Sequence, residues 1–374
     1  MSTRMSVLAL VAVLNAAGPV LADEIVDGRT ASGALYRLVK PTVWNGSLVL
    51  YAHGFVSPGA PVALPGEGDL ITGLLVPQGF AVAFSSYSEN GWAVRDGAER
   101  THQLQRIFAQ RFTEPARVYL AGASMGGLIV IKLAEEHPNT YAGALPACAA
   151  AGGSRAQFDY LAHVRAVFDY FYPNVLPGNA ARMPGSLDVT HDIVEPATSA
   201  MALNPAGAFA IASVQQTPIP FASPEELIQS IVTALAFHAD SMNDLIEKSA
   251  GHSVFDNRRT WYDGHLPVSV LRDLNLGIER FRASPSGLEF LERFYEPTGE
   301  LHMPMVMLSS SRDPVVPGFH QASYGRSVAL ERQSKYLVQE QIDRYGHCVF
   351  TPDELGKAFA DLVGWVEFGL KPTP

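Results

Sequence analysis

Cysteine is nearly absent: only Cys148 and Cys348 occur in a chain of 374 residues. That excludes a small scaffold held together by many disulfides. Charged residues make up 17% and hydrophobic residues 47%, which excludes wholesale disorder and predicts a substantial core. Of the two charge signs the basic one is scarcer, 27 Lys and Arg against 37 Asp and Glu, and it forms no run. With a net charge of −10, nothing supplies the counter-charge that a phosphate backbone needs, so no nucleic-acid partner is expected. Beyond residue 22 no stretch of 18 uninterrupted apolar residues occurs, so no integral membrane segment is expected there. The sequence has no HExxH, no CxxC and no closely spaced His/Cys cluster, nor a GxxxxGK[ST] loop or a GxGxxG after a strand. Neither a metal nor a nucleotide cofactor is therefore expected. Internal repeats and low-complexity segments are missing too.

What is present begins with a leader-like segment. Arg4 precedes an apolar stretch from Val7 to Ala17, and Gly18-Pro19 and Val20-Leu21-Ala22 follow. This reads as a signal peptide over residues 1–22, cleaved after Ala22, with the mature chain secreted or periplasmic. In such a compartment Cys148 and Cys348 can pair.

From residue 33 short apolar runs alternate with helical stretches, the pattern of a mostly parallel sheet covered on both faces. Strands are expected at Ala34–Val39, Ser47–Ala52, Gly79–Ser85, Arg117–Ala121 and Tyr141–Ala147. Helices are expected at Gly97–Phe112 and Met125–His137. The alternation stops at residues 152–299, where aromatic and charged helical stretches replace it. It resumes with strands at Met303–Ser309 and Lys335–Ile342 and a terminal helix opening at Thr351-Pro352-Asp353-Glu354. A core of residues 23–151 and 300–374 with a domain-sized insertion at 152–299 follows.

The chemistry centres on Gly122-Ala123-Ser124-Met125-Gly126-Gly127, directly after one strand and leading into a helix. A nucleophile on a tight strand-to-helix turn needs small neighbours two positions before and after it, here Gly122 and Gly126. The following helix N-terminus offers backbone N–H groups to a developing oxyanion. A serine needs a base, and the base an orienter, in the chain order serine, acid, histidine. Asp313, just past the strand Met303–Ser309, and His347, just before the last helix, fit that order; His320 falls within an expected helix and fits less well. His53-Gly54-Phe55 leaves an earlier strand at the same sheet edge, so the Phe55 N–H is placed to join that of Met125 in an oxyanion hole.

A strand followed by His-Gly, a GxSxGG elbow, an Asp after a late strand and a Gly-His near the C-terminus together resemble the α/β-hydrolase superfamily. The resemblance covers residues 33–150 and 300–370. It implies an α/β fold with a mostly parallel eight-stranded sheet and a largely helical cap inserted between the sixth and seventh strands. It also implies a Ser124/Asp313/His347 triad. Tannases and feruloyl esterases are similar in that a Cys, here Cys348, follows the histidine, but they also carry a Cys before the nucleophile, where this chain has Ala123. A Cys148–Cys348 bridge is compatible with the fold, since both residues would leave neighbouring strand ends; two buried thiols are the alternative.

The expected function is a secreted serine carboxylic-ester hydrolase working through an acyl-enzyme, without cofactor, on a small-molecule or oligomeric ester. A serine peptidase of prolyl-oligopeptidase type and a ligand-binding pseudo-hydrolase are the alternatives. The specificity pocket is expected in the cap, with Tyr160, Phe168, Tyr170, Phe171 and Tyr172 as lining candidates and ordinary cap core as their simpler role.

Overall fold

The computed structural model describes residues 23–373; the leader expected at residues 1–22 lies outside the described residues. Eight strands form one sheet: β1 (Glu24–Arg29), β2 (Leu35–Lys40), β3 (Ser47–Ala52), β4 (Ala81–Ser85), β5 (Arg117–Ala123), β6 (Gly143–Ala147), β7 (Met305–Arg312) and β8 (Leu337–Tyr345). Their order is β1-β2-β4-β3-β5-β6-β7-β8. From β4 to β8 every neighbour pairs parallel, whereas β1 with β2 and β2 with β4 pair antiparallel. The chain winds to β4 on one side of β3 and to β5 and β6 on the other. The loops after β3 and β5 therefore diverge at the switch point where open α/β sheets hold ligands.

Side-chain alternation explains why the central strands read as unbroken apolar runs. In β3, Leu48, Leu50 and Ala52 join one core, and Val49 and Tyr51 join the other. In β5, Val118 and Leu120 go with the first set, and Tyr119 and Ala121 with the second. Both faces are covered, so both positions of the period-2 repeat must be apolar.

The helices are α1 (Gly66–Leu75), α2 (Val94–Arg111), α3 (Met125–Glu136), α4 (Gly153–Phe171), α5 (Glu195–Leu203), α6 (Pro205–Ala212), α7 (Pro224–Lys248), α8 (Val268–Gly277), α9 (Pro285–Tyr295), α10 (Phe319–Leu330) and α11 (Pro352–Phe368). Helices α2, α3 and α10 pack on the first face, α1 and α11 on the second. Helix α11 starts with a capping box between Thr351 and Glu354, has Pro352 in its first turn, and stops at Gly369 in the left-handed region. Its Phe359 ring sits edge-on to Phe80 and Tyr119, at centroid distances of 5.1 and 5.7 Å. Burying that one side chain stabilises the docked helix by about 1.5–3 kcal/mol.

Six helices, α4 to α9, lie between β6 and β7, and none of this segment adds a strand to the sheet. Helix α7 is the longest of them. Ser223 caps it by accepting from the Glu226 N–H, and Pro224 occupies its first turn. Its 25 residues span about 37 Å, enough to cross the carboxyl edge of the sheet. At one end Glu226 pairs with Arg312 at the end of β7, and Ser230 bonds the Tyr345 hydroxyl at the end of β8. Further along, Asp240 accepts from the Ser57 hydroxyl, Asp244 accepts from the Trp92 N–H, and Lys248 donates to the Asn90 carbonyl. Among the described residues no helix is long and apolar enough to cross a membrane.

Candidate active site

Ser124 sits between β5 and α3 with φ +59° and ψ −123°, a conformation that side chains rarely adopt. The glycines around it are forced by contact. A Cβ on Gly122 would lie 2.6 Å from the Gly126 carbonyl oxygen and 2.8 Å from that of Ala52, and one on Gly126 would collide with Ala52. The strained turn is thus held by close backbone approach to β3, and it lifts the serine hydroxyl off the sheet edge.

The structure brings Ser124, His347 and Asp313 together. His347 Nε2 lies 2.8 Å from Ser124 Oγ, and His347 Nδ1 lies 2.7 Å from Asp313 Oδ2. Asp313 is buried, and its other oxygen, Oδ1, accepts the N–H groups of Val315 and Val316, both at 2.9 Å. Those two donors fix the carboxylate plane, so Oδ2 must face the imidazole. The turn they belong to is held from α4: Gln157 donates to the Val315 carbonyl, and the Tyr160 hydroxyl donates to that of Pro314. Burial, together with the nearby Asp313 carboxylate, keeps the Tyr160 phenol protonated well beyond its usual range.

The aromatic residues of the inserted segment take the simpler of the two roles considered for them, and His320 stays outside the relay, as its place within an expected helix implied. Tyr160 does not line a substrate pocket; it positions the Asp313 turn. Phe168, Tyr170, Phe171 and Tyr172 belong to or pack against the large core cluster. His320 lies in α10, away from the serine, buried and accepting the Gly152 N–H at 3.0 Å. With Gln157, Tyr160 forms a supporting layer whose role the sequence does not mark, since the contacts are made to a turn 154 to 158 residues further along the chain.

The loop after β3 closes the other side of the site. A Cβ on Gly54 would lie 3.4 Å from Ser124 Cβ, so the glycine keeps the space beside the hydroxyl open. His53 does not face the serine. Its buried ring stacks on Tyr87 at 3.8 Å and its Nδ1 donates to the Gly54 carbonyl. The Tyr87 hydroxyl donates to the His53 carbonyl. Burial lowers the His53 pKa, which keeps the ring neutral and makes it a brace for the loop. Among the described residues, the N–H groups of Phe55 on this loop and of Met125 at the start of α3 meet no protein acceptor.

Cys148, at the end of β6, and Cys348 are joined in a disulfide. These two residues and His347 place their ligand atoms within 4.8 Å of one another, but the bridge consumes both thiols and leaves no thiolate pair for a metal. The bridge closes a loop of 200 residues and anchors the neighbour of His347 to the sheet. Replacing both cysteines with alanine is expected to destabilise the protein by about 2–5 kcal/mol, chiefly through the freer unfolded chain. Urea unfolding of the double variant beside the parent measures this, and an unchanged midpoint would contradict it.

A cavity of about 470 Å³ opens at Ser124 and His347. Its walls come mainly from the sheet and the two helices on the second face: Ala121 and Leu145 from strands, Leu70 and Ile71 from α1, Leu355 from α11. Among its lining residues, Phe237 of α7 is the one contributed from between β6 and β7. The expectation of a pocket built by the inserted segment is therefore corrected. The cavity follows the face on which β5 and β6 present small or aliphatic residues beneath the elbow and β3 presents Tyr51.

No protein-family model matches the sequence, and no curated protein matches it. Solved structures do. Feruloyl esterase B from Aspergillus oryzae is 12% identical, over 93% of this chain and 80% of that one, with a TM-score of 0.54. The acylaminoacyl peptidase of Pyrococcus horikoshii is 10% identical over 95% of this chain and 43% of that one, with a TM-score of 0.46. A carboxyl esterase from Bacillus coagulans is 12% identical over 92% and 99%, with a TM-score of 0.44. At 12% identity the first likeness speaks to architecture alone. The chain has the α/β-hydrolase fold.

Proposed function

We propose that this protein is a serine hydrolase that cleaves carboxylic esters through an acyl-enzyme on Ser124. The observation that carries the reading is the unbroken relay from Asp313 Oδ2 through His347 to Ser124 Oγ, with contacts of 2.7 and 2.8 Å at the mouth of an apolar cavity. His347 Nε2 takes the hydroxyl proton as Oγ attacks the carbonyl carbon. The oxyanion is received by the Phe55 and Met125 N–H groups, each of which would contribute roughly 10²–10³ in kcat. His347 then protonates the leaving alcohol, and water activated by the same nitrogen releases the acid.

Esters are favoured over peptides by what the cavity lacks: no Lys or Arg lines it to hold a peptide carboxylate. Glu67, its one carboxylate, could receive an amino terminus and is what favours the peptidase as second reading. Helices α4 to α9 are read as a cap, with α7 strapped over the site. Secretion remains part of the proposal, supported by the disulfide, which persists in an oxidising compartment.

The test is turnover of p-nitrophenyl esters from acetate to palmitate beside aminoacyl p-nitroanilides, with an alkyl fluorophosphonate used to label the nucleophile. Ester turnover with the label on Ser124 is expected. Turnover confined to the anilides would establish the peptidase, and an unlabelled, inactive protein would defeat both readings.

A further inference from the structure

Apart from Ser124 and His347, the polar side chains lining the cavity are Tyr51 and Glu67. Tyr51 is one residue from the end of β3 and is 3% exposed. Among the described residues its hydroxyl has no hydrogen-bond partner. The hydroxyl opens onto the cavity, so a ligand that displaces water from it without replacing the hydrogen bond loses affinity. Because this side chain lines the cavity, its partner has to come from whatever the cavity holds. Glu67, exposed near the start of α1, adds a carboxylate to the same lining. Burial first, and then the Glu67 charge, push the Tyr51 phenol well above its usual pKa, so it remains a neutral donor and acceptor.

The rest of the wall is aliphatic or aromatic, with Leu70, Ile71, Leu145, Phe350 and Leu355 among it. About 470 Å³ is within the range of pockets that enclose a ring with a short chain. A carboxylate or phosphate in this space would find no cation and would be repelled by Glu67. A bare hydrocarbon would leave Tyr51 unpaired. A hydroxyl is uncharged and can pair with the Tyr51 hydroxyl or donate to the Glu67 carboxylate.

We infer that Tyr51 and Glu67 form a polar subsite in the apolar cavity, selecting esters in which one arm is a ring-sized apolar body bearing a free hydroxyl, as in a hydroxyaryl group. The statement about esters rests on the function proposed above; the preference of the cavity does not. In this role Tyr51 sets specificity and takes no part in bond breaking.

The experiment measures dissociation constants of 4-ethylphenol, ethylbenzene, phenethylammonium and 4-ethylbenzoate by ligand-observed NMR, for the parent protein and Tyr51→Phe. In the parent, 4-ethylphenol is expected to bind about tenfold more tightly than ethylbenzene, against the order that hydrophobic transfer alone would give. Tyr51→Phe should abolish that preference and leave ethylbenzene binding unchanged or improved. Tighter binding of ethylbenzene or phenethylammonium than of 4-ethylphenol to the parent would overturn the inference, as would a phenol preference that survives in Tyr51→Phe.

Matched hydrolysis then extends the result to esters, with methyl 3-(4-hydroxyphenyl)propanoate against methyl 3-phenylpropanoate, and the acetates of the corresponding phenylpropanols. The hydroxylated member of one pair should show the higher kcat/KM, with the ratio falling to near one in Tyr51→Phe. A phenol preference in binding without turnover of any ester would remove the esterase reading and leave the subsite standing. Ester turnover that ignores the hydroxyl in both pairs would do the reverse.

Discussion

Replacing Ser124 with alanine is expected to lower kcat on p-nitrophenyl butyrate by about 10⁶-fold, the scale on which loss of the nucleophile acts in a serine triad. No neighbouring group can substitute for it. Cys348 Sγ lies 3.4 Å from His347 Nε2, within reach of the base, but the bridge to Cys148 leaves it no thiol. The assay therefore has to be run without reductant, since a freed Cys348 thiol would stand beside the imidazole. The fold should be undisturbed, because the strain at this position resides in the backbone turn, and alanine meets it as serine does. Steady-state kinetics on the variant, with circular dichroism to show an unchanged fold, measures the effect. Retention of more than a few per cent of turnover would remove Ser124 from the mechanism.

The parts of this fold that the sequence displays are those set by local rules. Apolar runs at β3 to β6 stand out because both sheet faces are buried, and α7 and α11 because their first turns carry Ser223-Pro224 and Thr351-Pro352. Ser124 is legible because only glycine fits at positions 122 and 126, and that constraint leaves a visible pattern. Where local and tertiary demands differ, the text misleads. Helix α1 begins after Pro65 with Gly66 and Gly68, which read as loop. Gly68 is there because its backbone packs directly onto the Phe84 ring, leaving no room for a side chain. Strand β1 escapes notice because it is a mostly exposed edge whose polar residues break the alternation. The place of the cavity is hidden in the sequence for a further reason. It is made by residues far apart in the chain, Tyr51, Glu67, Leu145 and Leu355, each of which alone is an unremarkable strand or helix residue.

Asp313→Asn should lower kcat by about 10⁴-fold, and the hydrogen bonds around this residue give the reason. Oδ1 accepts two backbone N–H groups, from Val315 and Val316. An asparagine has one oxygen, and both donors compel it to occupy that place, since an NH₂ there would face two N–H groups. The amide nitrogen must then point at His347 Nδ1. A donor in that position forces Nδ1 to accept, so the imidazole proton moves to Nε2, and Nε2 can no longer take the proton of Ser124 Oγ. Asp313→Ala acts differently. It leaves Nδ1 free to donate to water but strips two buried N–H groups of their acceptor, each at a cost of about 1–3 kcal/mol. The pair of variants should therefore separate: the asparagine form keeps its unfolding midpoint with kcat as low as the alanine form or lower, whereas the alanine form loses stability. An asparagine variant retaining a tenth of the parent kcat would show that Asp313 does not govern the His347 tautomer.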